Sequence, residues 1–108
     1  MTHHPHLILR IMARLGELTF EERFLPTEGQ DAKGRRGYVY GQTDFDGRII
    51  VNPVPHIVDT VIHECLHELF PNYAESAIKS LTGKLMRQLT DTNLQTIYAE
   101  YKRKLEGD

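Results

Sequence analysis

The stretch Val61–Phe70 reads "VIHECLHELF", and its periodicity decides how the chain around it folds. Wound as an α-helix at about 100° per residue, it places Val61, Ile62, Cys65 and Leu69 within roughly 60° of Val58. That is a core-facing stripe, on which Cys65 reads as a small buried hydrophobe. His63 and His67 fall at about 140° and 180°, nearly opposite, and Glu64 at about 240° beside them. One side of the helix is therefore apolar, and the other carries two adjacent imidazoles. Pro55 suits a first turn, where a missing N–H costs nothing. Pro71 ends the helix, so it is expected over Pro55–Phe70.

Upstream, "YVYGQT" and "RIIV" are β-rich and separated by "DFDG". Asp46-Gly47 is a hairpin signal, so these two strands are expected to pair antiparallel before "NPVP" breaks the second. "PTEGQDAKGRRG" holds three glycines, a proline and five charges, which reads as a loop. "ELTFEERFL" reads as an extended segment. "HLILRIMARLG" carries Leu7, Ile8, Ile11, Met12 and Leu15 at helical spacing, with Gly16 as its stop. Downstream, a helix is expected over Tyr73–Leu89 with Ala74, Ala77, Ile78, Leu81, Leu85 and Leu89 on one side. "TDT" starts another, with Leu94, Ile97, Tyr98, Tyr101 and Leu105 on one stripe. The Lys and Arg of its closing "YKRKLEGD" favour the helix dipole. The fold class expected is α+β: an N-terminal helix, a small antiparallel sheet with a hairpin, then the two-histidine helix and two more.

A chain of 108 residues suits a single domain, here 1–108. A net charge of -2 lacks the basic excess of a nucleic-acid binder. There is no run long enough to span a membrane. "MTHHPHLILR" has no basic region ahead of its apolar run and no small-residue cleavage site after it, unlike a secretory signal. The single cysteine, Cys65, excludes an intramolecular disulfide. The expectation is a cytoplasmic monomer. His3, His4 and His6 read as a frayed terminus or a remnant of cloning rather than a chelate.

The outward face of the helix carries the chemistry. Two histidines at i and i+4 reach one Zn²⁺ together, each at about 2.0–2.1 Å. A glutamate directly after the first ligand sits beside the metal's open position, where it takes a proton from bound water as a general base. The pattern is H-E-x-x-H, the signature of zinc-dependent peptidases. With six His and nine Glu, shuffled chains reproduce it in only a few per cent of trials. A catalytic zinc takes three protein ligands and a water. Glu68 points about 100° away from His67, which leaves Glu75 as the nearest carboxylate, with Asp91 and His56 as substitutes. Asn72-x-x-Glu75 also fits a variant capping box, in which Glu75 serves the helix start and no metal. Both roles stand at this level.

With "HECLH" and a following Glu75, the chain resembles the gluzincins, the Glu-liganded H-E-x-x-H peptidases, and most of all their smallest members, the minigluzincins. The hairpin "YVYGQTDFDGRIIV", the "HECLH" helix and the next helix match in order and length over about half the chain. "HECLH" is the specific motif among them. Glu75 follows His67 by eight residues, a shorter interval than in many gluzincins. The resemblance implies a zincin-like fold and a zinc ion on His63, His67 and Glu75. It also implies hydrolysis of a peptide or protein substrate by a metal-activated water, with Glu64 as general base. An edge strand of the hairpin would pair with extended substrate. Tyr38, Tyr40, Tyr73, Tyr98 and Tyr101 are candidates for stabilising an oxyanion. Two other readings compete: a binding module in which zinc only staples the fold, and a metal-dependent RNA-processing hydrolase. The latter resembles H-x-x-x-H with a further His six residues on, where this chain has Tyr73.

Overall fold

The hairpin turn is built from its own side chains. Asp44 Oδ1 accepts hydrogen bonds from the amides of Asp46 (2.8 Å) and Arg48 (3.1 Å), and Thr43 Oγ1 accepts one from Phe45 N (3.1 Å). Phe45 and Gly47 both have positive φ, 65° and 96°, and glycine tolerates this without a Cβ clash. The reversal pairs β4 (Gly41–Thr43) antiparallel with β5 (Arg48–Val51), Gly41 opposite Val51 and Thr43 opposite Ile49. The computed structural model describes residues 5–30 and 36–107. His3, His4 and residues 31–35 of the expected loop lie outside the described residues.

The sheet is mixed, not antiparallel as expected. After α1 (Pro5–Leu15), β1 (Thr19–Glu22) runs parallel to β5, Thr19 opposite Arg48 and Glu22 opposite Val51. Strand order is β1-β5-β4, so β4 is an edge. Only the hairpin fixes direction through its turn. A segment that reaches the sheet over a long connection pairs in either direction. Arg48 also forms an ion pair with Glu21 across this junction. The segment expected as a loop contains a second antiparallel pair, β2 (Glu28–Gln30) with β3 (Arg36–Gly37). Strands this short leave no periodic signal.

Three helices follow: α2 (Val54–Leu69), α3 (Glu75–Gln88) and α4 (Asp91–Leu105). Val54, Val58, Met86 and Leu94 form one buried cluster, flanked by Phe24, Ile62, Leu89, Ile97 and Tyr98. Leu66 is buried too, whereas Cys65 and Leu69 are exposed and Val61 is half-buried. The expected core stripe on α2 is therefore rotated, and Cys65 is not a core residue. Within the arc of apolar positions, Met86 of α3 and Leu94 of α4 pack with Val58 and Ile62, while Leu69 closes α2 exposed.

Asn52, at 1% exposure, ties the sheet to α2. Its Nδ2 donates to Leu25 O (3.2 Å) and Val39 O (2.9 Å), and its Oδ1 accepts from Val54 N (3.2 Å). Its own amide donates to Tyr40 O (2.9 Å). α4 opens with a true capping box: Thr90 Oγ1 accepts from Asn93 N (3.1 Å) and Asn93 Oδ1 from Thr90 N (3.0 Å). Among the described residues no helix is long and apolar enough to cross a membrane.

Candidate metal centre

His63 and His67 leave α2 one turn apart, on the side away from its buried stripe. Their Nε2 atoms lie 3.2 Å from each other, with ring centroids 4.8 Å apart at 71°. The chain then turns through Phe70–Ala74, and α3 begins at Glu75. Glu75 Oε1 is 2.8 Å from His63 Nε2, and Oε2 is 2.8 Å from His67 Nε2. One carboxylate thus spans both imidazoles. Partial loss of hydration pushes the Glu75 carboxyl up, but the two imidazoles together outweigh it and hold it below its ordinary value.

This donor set fits a metal ion. One ligand atom from each of the three residues falls within 4.8 Å of the others. Two nitrogens 3.2 Å apart, each about 2.0–2.1 Å from one ion, subtend about 100°, near the tetrahedral angle. Two imidazoles and a carboxylate match the composition of open, catalytic zinc sites rather than closed, thiolate-rich structural ones. Glu75 is 54% exposed while the imidazoles are 19% and 32%, so the cluster is sheltered on the α2 side and open beyond the carboxylate.

The capping alternative for Glu75 does not survive. α3 has Ala74 as its N-cap, with no side-chain hydrogen bond there. Glu75 is the first helical residue rather than the third, because the helix starts two residues later than the expected Tyr73. Glu64 is exposed on α2 directly after His63 and engages no hydrogen bond or ion pair among the described residues. The substitutes lie elsewhere. His56 stacks on Tyr40 (centroids 4.4 Å, 26°), and Asp91 Oδ1 accepts from Thr27 N (3.2 Å) at the start of α4. Among the tyrosines, Tyr38 and Tyr98 pack against the core cluster, Tyr101 lies near Tyr98, and Tyr73 stacks on Phe70.

No family model, curated protein or solved structure matches this chain. The likeness to gluzincins rests on the residues themselves. Asn52 supports the site from the strand-breaking "NPVP", where a short polar residue between a strand and a proline-led helix is a signal for a bonded junction.

Proposed function

We propose that the chain is a zinc-dependent peptidase of the gluzincin type, with a zincin-like fold and His63, His67 and Glu75 as its metal ligands. The observation that carries this reading is the Glu75 carboxylate, 2.8 Å from each of two imidazoles one helical turn apart. Zinc, when bound, supplies Lewis acidity, which lowers the pKa of water and polarises a carbonyl. Glu64 takes a proton from the attacking water on its carboxylate and passes it to the amine nitrogen as the C–N bond breaks. The exposed position of Glu64 beside His63 leaves it free for both transfers. β4, the edge strand of the hairpin whose other strand leads into α2, suits an extended peptide that adds to the sheet by backbone pairing. A zinc staple would need a closed, four-ligand site, and the open side beyond Glu75 argues for catalysis instead.

Native mass spectrometry after chelator treatment and zinc return should show one zinc per chain, absent from the double variant His63→Ala, His67→Ala. Glu64→Gln should retain the zinc and lower cleavage of a quenched fluorogenic peptide library by about 10²–10⁴-fold, the usual contribution of a general base. Full occupancy in the double variant would sink the site. Loss of zinc from Glu64→Gln would make Glu64 a ligand and end its role as base.

A further inference from the structure

We propose that α1 is a membrane-surface helix, which lays its apolar face on a bilayer that carries anionic headgroups. The inference is independent of the metal centre. On a helical wheel with Ile8 at zero, Met12 and Leu9 fall at about 40° and 100° to one side, and Leu15, Ile11 and Leu7 at about 20°, 60° and 100° to the other. Six large apolar side chains thus fill an arc of about 200°. His6, Arg10 and Arg14 occupy the remaining side, at about 160°, 200° and 240°. From Pro5 to Leu15 there is no acidic residue. Among the described residues nothing covers the arc, and its six side chains are 46–64% exposed. The chain's own sheet does not close on it either: a cleft of about 690 Å³ is lined by Leu7, Ile11 and Leu15 together with the connecting Leu18 and Ile49 of β5.

A contiguous exposed apolar patch marks contact with a protein or a membrane, and shape and charge choose between them. A packed neighbour covers a stripe about 100° wide, so a second copy seated on Ile8 and Met12 would leave Leu7 and Leu9 in water. A bilayer interface takes the whole arc, because lipid closes around an in-plane helix from both flanks. The helix has 11 residues, about 16 Å of length, against about 30 Å of hydrocarbon. It therefore lies on the bilayer rather than through it. Arg10 and Arg14 match phosphate, which a guanidinium holds through two hydrogen bonds at once. Arg14 also pairs with Glu17, but both side chains are more than half exposed. A surface pair of this kind contributes little, so a lipid phosphate can displace the carboxylate. A neutral surface offers the two arginines nothing.

The test is cosedimentation of the full chain with vesicles of phosphatidylcholine alone, or of phosphatidylcholine with one quarter phosphatidylglycerol. Binding to the mixed vesicles should be about tenfold stronger than to the neutral ones and should weaken as salt is raised. The double variant Ile8→Asp, Met12→Asp should lose binding by at least tenfold. Arg10→Gln with Arg14→Gln should bring the mixed vesicles down to the neutral level. The chain has no tryptophan, so Met12→Trp reads insertion directly, with emission that shifts to the blue on mixed vesicles only. Failure of the unsubstituted chain to bind mixed vesicles overturns the proposal, and so does equal binding to both kinds. Unaltered emission from Met12→Trp on mixed vesicles does the same. A dimer in the absence of vesicles that the Ile8→Asp, Met12→Asp variant dissolves would assign the face to a second copy and overturn the membrane reading.

Discussion

A glutamate near a helix start serves either the backbone or a partner beyond it, and at Glu75 the two roles have different consequences. Its carboxylate faces His63 and His67, while Ala74 caps α3 without side-chain help. On the zinc site proposed above, Glu75→Gln keeps the shape and loses the carboxylate charge that would hold the ion. Zinc affinity should fall by at least tenfold, about 1.4 kcal/mol, while the metal-free melt stays nearly unchanged. A competition titration against a zinc chelator, run beside a melt in excess chelator, reads both. Unaltered affinity would remove Glu75 from the ligand set. The histidines and Glu64 were legible from spacing because three positions in one helix have fixed relative angles. Glu75 was legible only as the nearest carboxylate, because its reach depends on the dihedrals of the Phe70–Ala74 corner. The apolar pattern predicts that α3 starts at Tyr73, and the observed start at Glu75 is what frees the carboxylate from capping.

Junctions between elements hold the centre's helix in place, and two of them can be tested. Asn52 makes three side-chain hydrogen bonds that join Leu25, Val39 and the first turn of α2. Asn52→Ala would strand two carbonyls and an amide in a site of 1% exposure. Chemical denaturation should show a loss of at least about 3 kcal/mol, since buried groups left without partners each cost about 1–3 kcal/mol. A loss below 1 kcal/mol would mean that water repairs the junction. The hairpin offers a pH-dependent case. Amide hydrogen bonds from Asp46 and Arg48 hold the Asp44 carboxyl below its ordinary value. The stabilised form is the carboxylate, so its contribution is complete above the unfolded value of about 3.9 and disappears as pH falls through the lower folded one. The gap in melting temperature between the protein and Asp44→Ala should therefore be constant near neutrality and narrow below about pH 4. A gap that holds down to pH 2.5 would mean the carboxylate's charge is not what organises the turn. The hairpin was legible because its signals are adjacent residues. The parallel pairing of β1 with β5 was not, because nothing local sets the direction of a strand that arrives from α1.

The chain as a whole spreads wider than its length suggests: its radius of gyration is 17.3 Å, against about 13 Å for a compact domain of this size. The buried cluster of Val54, Val58, Met86 and Leu94 joins α2 to α3 and α4. α1 contributes little to that burial, since Leu7, Ile8, Ile11, Met12 and Leu15 all stay 46–63% exposed. Helical periodicity in α1 thus gave the element correctly without giving its depth, because periodicity reports that a face is apolar and not what covers it. Stability should follow the same division. Leu94, at 0% exposure, should cost about 2–5 kcal/mol when cut to Ala, the range for a buried leucine that leaves a cavity. Met12, at 63% exposure, removes little surface from water and opens no cavity, so Met12→Ala should stay within about 0.5 kcal/mol. Denaturant titrations of both variants at one zinc concentration make the comparison, with unchanged m-values showing that the same structure is lost each time. Should Met12→Ala cost as much as Leu94→Ala, α1 would be packed in solution against a surface that covers its apolar face, and the extended arrangement described above would not be the form that unfolds.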